Sequence, residues 1–67
     1  MKVLIKQINR KTGEYTGDEV TVIASSFYEA SVMAKSLNNF YEGLRLYFQA
    51  NNKAIDLLGY SYTFKRV

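Results

Sequence analysis

The 67-residue chain contains no cysteine, no histidine, no proline and no tryptophan. Without cysteine it has no disulfide staple and no thiolate nucleophile, and with histidine also missing, the usual zinc ligands and the commonest general base are gone. Its carboxylates are Glu14, Asp18, Glu19, Glu29, Glu42 and Asp56. Each falls in a turn, at a helix start or on a solvent face, so they read as solvated charge. No nucleophile, base and orienting group can be assembled from these residue types. The expectation is a protein that is not an enzyme and holds no metal or cofactor. A chain without cysteine also fits a reducing compartment, and the expected location is the cytoplasm.

Long apolar runs are missing too. The opening "MKVLIKQI" is interrupted at Lys6, too early for the apolar region of a signal peptide, and no stretch approaches the length that crosses a bilayer, so no membrane role is expected. Charge of one sign is scarce: nine Lys and Arg against six Asp and Glu leave +3, a mild bias towards an anionic partner without any block of like charge. Gly13 and Gly17 bracket "EYT", but a strand follows them where a phosphate-cradling loop needs a helix N-terminus.

What is present is a dense apolar complement, 48% of residues, with six Tyr and four Phe, which indicates one globular domain over residues 1–67. A chain of this length buries only roughly 60% of its unfolded surface. A core that small rarely supplies more than about 3–5 kcal/mol. With no covalent or metal staple to add, a second chain is the expected source of further stability, so self-association is predicted.

"KVLIKQIN" (2–9) reads as a strand entering a hairpin at "NRKTGE", where Gly13 offers a positive φ. The return strand spans Tyr15 to Ala24, with Val20, Val22 and Ala24 on one face and Glu19, Thr21 and Ile23 on the other; Gly17 marks a bulge or a frayed start. Ser26 and Glu29 have the spacing of a capping box, predicting a helix from Phe27 whose apolar stripe is Phe27, Ala30, Ala34, Leu37 and Tyr41. Asn38 or Asn39 ends it and Gly43 closes the connection. A third strand follows from Leu44 to Ala50, with Leu44, Leu46, Phe48 and Ala50 inward and Arg45, Tyr47 and Gln49 outward. "NNKAIDLLG" fits a hairpin through Asn51 and Asn52, the preferred reading, or a short helix capped by Asn52 and stopped at Gly59. Tyr60 to Val67 is the last strand, with Tyr60, Tyr62 and Phe64 on one side. The fold class is α+β: two layers, β-β-α-β-β, one amphipathic helix on an antiparallel or mixed sheet, part of which the helix leaves open.

The segment "LGYSYTFK" (58–65) resembles the middle of the sheet-borne RNA-binding motif through Gly59, Tyr60 and Tyr62, which would make those tyrosines a base-stacking platform. It departs from that motif at Leu58, where a basic residue is required, and at Lys65, where an aromatic is. Alternation of aromatics with Ser61 and Thr63 is also what a half-buried strand shows, and packing of Tyr60, Tyr62 and Phe64 beneath the helix is the reading preferred. Lys2, Lys6 and Arg10 share one face of the first strand, joined by Lys65 and Arg66 if the first and last strands are neighbours. This stripe can track phosphates or protect an edge.

Function is therefore narrowed to binding. A protein partner, a second copy included, is expected first. Such a chain resembles small accessory proteins of bacteria and their phages, some of which inhibit a host enzyme by covering its surface. The alternative is a nucleic-acid-binding domain. The residues assigned to a partner or nucleic-acid surface are Lys2, Lys6, Arg10, Arg45, Tyr47, Tyr60, Tyr62, Lys65 and Arg66.

Overall fold

A computed structural model describes residues 1–37 and 46–67, with residues 35–37 as backbone only. The order of elements is β1 (Lys2–Asn9), β2 (Tyr15–Ile23), α1 (Phe27–Leu37), β3 (Tyr47–Ala50), β4 (Lys53–Ile55) and β5 (Tyr60–Arg66). All pairings in the sheet are antiparallel, in the spatial order β2-β1-β5-β4-β3. The fold is thus an α+β type with a five-stranded sheet, one strand more than the sequence predicts.

Burial follows the alternation of the strands. Val3, Ile5 and Gln7 of β1 point to the side that carries α1, and register brings Phe64 opposite Ile5 and Tyr62 opposite Gln7. Ala30 and Ala34 of the helix join Val3, Ile5, Val22, Tyr62 and Phe64 in one buried cluster. Small alanines let the helix axis approach the sheet, and the aromatics fill what they leave: the Phe64 ring centroid lies 6.0 Å from that of Phe27 and 5.2 Å from that of Phe48. Of the predicted helical stripe, the Leu37 side chain and Tyr41 lie outside the described residues, as do the predicted stop at Asn38 or Asn39, Gly43, and the Leu44 and Arg45 start of the third strand. Ala50, predicted inward, is exposed, because the β3–β4 register shifts between Phe48 and Ala50.

Turn chemistry fixes the ends. The Asn9 side chain accepts hydrogen bonds from the backbone N–H groups of Lys11 (2.9 Å) and Thr12 (3.3 Å), and Gly13 takes φ +76°, closing the first hairpin. Gly17 has φ +94° beside a register shift between Lys6 and Ile8, an irregularity at the position read as a bulge or a frayed start.

The helix begins at Phe27, capped by Ser26, whose hydroxyl accepts the Glu29 N–H at 3.0 Å. The reciprocal half of the box falls one residue earlier than predicted: the Glu29 carboxylate accepts from the Ser25 hydroxyl (2.7 Å) and the Ser25 N–H (3.3 Å). Those two bonds, the hydroxyl first, hold the Glu29 carboxyl below its ordinary range. Ser26→Ala is expected to destabilise the fold by about 0.5–2 kcal/mol, read as a lower thermal midpoint. An unchanged midpoint would mean that the cap contributes nothing.

Candidate binding face

The helix occupies one face of the sheet, and register identifies what stands on the other. Lys2, Leu4, Lys6 and Ile8 of β1 lie opposite Ile23, Thr21, Glu19 and Tyr15 of β2 on one side, while Leu4, Lys6 and Ile8 lie opposite Lys65, Thr63 and Ser61 of β5 on the other. The ladder continues from Thr63 to Lys53 and from Ser61 through Ile55 to Tyr47. Directly paired residues share a face, with neighbouring strands about 4.8 Å apart. Four lysines, Lys2, Lys6, Lys53 and Lys65, therefore share this open face with one register-paired carboxylate, Glu19. Interleaved with them are Leu4, Ile8 and Ile55, half-buried, and the exposed Ile23 and Tyr47. A groove of about 450 Å³ runs across it between Ile8, Arg10, Lys53, Ile55, Ser61 and Thr63.

Glu19 is occupied. The Tyr15 hydroxyl donates to its Oε1 at 2.5 Å, and the Lys6 ammonium sits 5.3 Å from the centre of the Tyr15 ring. The hydrogen bond to Glu19, then desolvation and the charges of Glu19 and Asp18, push the Tyr15 phenol up to about 12. It stays neutral at physiological pH.

The predicted residues separate. Lys2, Lys6 and Lys65 are brought together on the open face, and β1 and β5 are neighbours as the stripe requires. Tyr47 is there too, 42% exposed. Arg66 pairs with Val3 and so belongs to the helix-side register, at the exposed end of the strand. Arg45 lies outside the described residues. Arg10 is not a free cation: its Nη2 donates to the Asp56 carbonyl at 2.7 Å and its Nε to the Tyr60 carbonyl at 3.2 Å. Tyr62 is fully buried and Tyr60 half-buried against the core, so Tyr62 cannot stack a base and "GYSYTFKRV" is a core strand on its aromatic side. Lys53 is the member that sequence reasoning missed. Its signal was the turn-forming Asn51–Asn52 pair, which puts Lys53 at the start of a returning strand.

Asp56 also departs from expectation, being buried where a solvated carboxylate was predicted. Its Oδ1 accepts from the N–H groups of Leu58 (2.8 Å) and Tyr60 (3.0 Å), and its Oδ2 from the Tyr62 hydroxyl (2.7 Å). Gln7 Nε2 donates to that hydroxyl at 3.1 Å, and Thr16 donates to Gln7 Oε1 at 2.8 Å. A hydrogen-bonded line thus runs from β2 through β1 and β5 to the β4–β5 loop. Burial pushes the Asp56 carboxyl up, but the Tyr60 N–H, the Tyr62 hydroxyl and the N–H groups of Leu58 and Gly59 outweigh it and hold the group below its usual range. Burial is likewise the largest cause raising the Tyr62 phenol, with Asp56 adding to it and the Gln7 amide opposing it. Each partner's place in this line is a fold-holding one: Asp56 has its donors supplied by the loop it organises.

Among the described residues no cluster of His, Cys, Asp and Glu is placed to hold a metal ion, and no helix is long and apolar enough to cross a membrane. No protein-family model, curated protein or solved structure matches the chain.

Proposed function

We propose that the chain is a non-enzymatic interaction module that docks the acidic surface of a protein partner on the open face of its sheet. The observation that supports this reading is the charge of that face: among the described residues paired in register, four lysines stand against Glu19, which already accepts a tyrosine hydroxyl. Lysine stems lie over apolar surface while their heads stay wet, so such a face offers both contact area and charge.

Nucleic acid is the second reading, favoured by the same lysines, which can neutralise phosphates. Against it stands the lack of a stacking platform. Tyr62 is buried, Tyr60 packs on the core, and the Tyr15 ring is covered by Lys6, leaving Tyr47 as the open-face aromatic with no cation over it among the described contacts. Sequence-tolerant binding of single strands draws on stacking of about 1–3 kcal/mol per base, and this face is poorly equipped for it.

The two readings part in a titration. Labelled poly-L-glutamate, single-stranded DNA and RNA, and duplex DNA are each added to the wild type and to Lys2→Ala/Lys6→Ala/Lys65→Ala at low and at physiological salt. Polyglutamate binding that weakens several-fold in the triple variant is the expected result. Nucleic acid is expected to bind weakly and to be released by salt, with a slope of about −0.9 per neutralised phosphate on duplex. Tight nucleic-acid binding at physiological salt would move the assignment to the second reading.

A further inference from the structure

Ser61 is 5% exposed in the middle of the sheet, with Ile8 of β1 paired to it on one side and Ile55 of β4 on the other. Four polar residues are buried among those described, and three of them, Gln7, Ser31 and Asp56, have side-chain hydrogen bonds within the fold. The Ser61 hydroxyl has no partner among the described residues. Buried polar side chains are hydrogen-bonded as a rule, so an exception calls for a reason. Packing supplies none. Between two isoleucines an alanine or a valine would fill the position without stranding a hydroxyl.

The surroundings of Ser61 supply the reason. Its side chain leaves the sheet on the open face, since Tyr60 and Tyr62 turn to the core, and it lines the groove of about 450 Å³ found there. Unlike the apolar groove of about 710 Å³ that Met1, Tyr28 and Phe48 wall beside the helix N-terminus, this one is polar and charged. None of the described residues lining it is acidic, and two, Arg10 and Lys53, are cationic. The Arg10 guanidinium is anchored by two neutral carbonyls, which fix its place and leave its charge uncancelled. Lys53 has no ion pair among the described residues. Thr63 stands on the same face about 7 Å along β5 from Ser61, directly across from Lys53. Two hydroxyls and an ammonium thus border one space, which a carboxylate bridges with hydrogen bonds of about 2.7 Å. Ile8 and Ile55, half-buried on either side of Ser61, offer apolar contact to the methylenes that carry such a carboxylate.

We propose that this groove seats a single glutamate side chain of the docked partner, its carboxylate held by Ser61, Thr63 and Lys53 and its stem lying on Ile8 and Ile55. The inference rests on the acidic-partner reading of the open face and gives it a fixed point. Lys2, Lys6 and Lys65 attract an acidic surface at any spacing, whereas the two hydroxyls accept one carboxylate in one place and so set the register of docking.

Titration followed by nuclear magnetic resonance tests it. The probes are a capped pentapeptide with one glutamate among alanines, its glutamine counterpart, inorganic phosphate and poly-L-glutamate. The proteins are the wild type, Ser61→Ala, Ser61→Val and Lys2→Ala/Lys6→Ala/Lys65→Ala. The glutamate peptide is expected to shift the Ser61 and Thr63 amides of the wild type and to bind Ser61→Ala about tenfold more weakly. That factor should persist as salt is raised, because a hydrogen bond and not a charge has been removed. Ser61→Val, whose methyls project into the groove, should abolish the shifts. Neither variant is expected to melt below the wild type, since each deletes an unpaired buried hydroxyl; a serine that merely held the sheet together would give the opposite result. The triple-lysine variant is expected to keep most of its affinity for the single glutamate while losing poly-L-glutamate. Equal binding of the glutamate peptide by wild type and Ser61→Ala would overturn the seat, as would no binding by the wild type, equal binding of the glutamine peptide, or phosphate bound more tightly than the peptide. Poly-L-glutamate binding that ignores the triple-lysine substitution would instead count against the acidic-partner reading, so the two failures are told apart by different variants.

Discussion

Asp56→Ala is expected to leave the chain without a cooperative folding transition. The substitution removes the acceptor for two part-buried backbone N–H groups and for the buried Tyr62 hydroxyl. Losing the acceptor of a buried donor costs about 1–3 kcal/mol, on top of the freed loop, and a core of this size rarely supplies more than about 3–5 kcal/mol in all. Asp56→Asn is milder. Its carbonyl oxygen still accepts from Leu58 and Tyr60, and only the pairing with Tyr62 is lost. Because the Asp56 carboxyl is held below its ordinary range in the fold, its contribution is complete above the unfolded value of about 3.9 and is lost as the pH falls through the lower, folded one. The Tyr62 phenol is shifted the other way, so its contribution is complete below about 10 and is lost as the pH rises through its raised value. Chemical denaturation of the wild type and Asp56→Asn across pH measures both limbs. The acid limb should shrink in Asp56→Asn while the alkaline limb persists. An acid limb of equal size in the two proteins would remove Asp56 from the account.

Phe64→Ala should be nearly as severe. Phe64 is 3% exposed, and its ring joins the helix through Phe27 to the β3–β4 hairpin through Phe48. Truncating a buried phenylalanine costs about 3–5 kcal/mol, because the cavity is only partly refilled. Among the described residues, four of the nine buried hydrophobic ones, Ala24, Ala30, Ala34 and Ala54, are alanines, whose side chains are too small to move into the space. A melting curve without a sigmoidal transition is expected for Phe64→Ala and a lowered but cooperative one for Phe64→Leu. A Phe64→Ala protein melting within a few degrees of the wild type would show that the aromatic cluster is not what joins helix and hairpin.

The parts of the fold that were legible are those in which a local signal and a tertiary demand agree. Val3 and Ile5 alternate with Lys2, Leu4 and Lys6 because one face of β1 is core, and the Ser26 hydroxyl caps the helix at the residue its spacing indicates. β4 was harder to read for a physical reason. Three residues, Lys53–Ile55, are too few to display alternation, and Asp56, Leu57 and Leu58 imitate the end of a helix. Leu57 and Leu58 themselves face solvent, against the general tendency of leucine to be buried. Asp56 is the reverse case, a carboxylate that composition assigns to the surface and that the loop buries by supplying its hydrogen bonds. On the open face the lysine stripe of β1 was visible from spacing alone, whereas Lys53 joins it through its pairing with Thr63, of which the Asn51–Asn52 turn gives only the start of the returning strand. The apolar groove was not legible at all, because Met1, Tyr28 and Phe48 meet only through the chain's return past the helix N-terminus.

The most direct test of the open face as the docking surface is a footprint by nuclear magnetic resonance, recorded on the isotopically labelled chain during addition of poly-L-glutamate at low salt. The amides of Lys2, Lys6, Lys53, Thr63 and Lys65 are expected to shift together and to return when salt is raised, while those of Ala30 and Ala34, on the helix at the other side of the sheet, stay where they are. Shifts concentrated on the helix side, or none at any of the five open-face positions, would contradict the account.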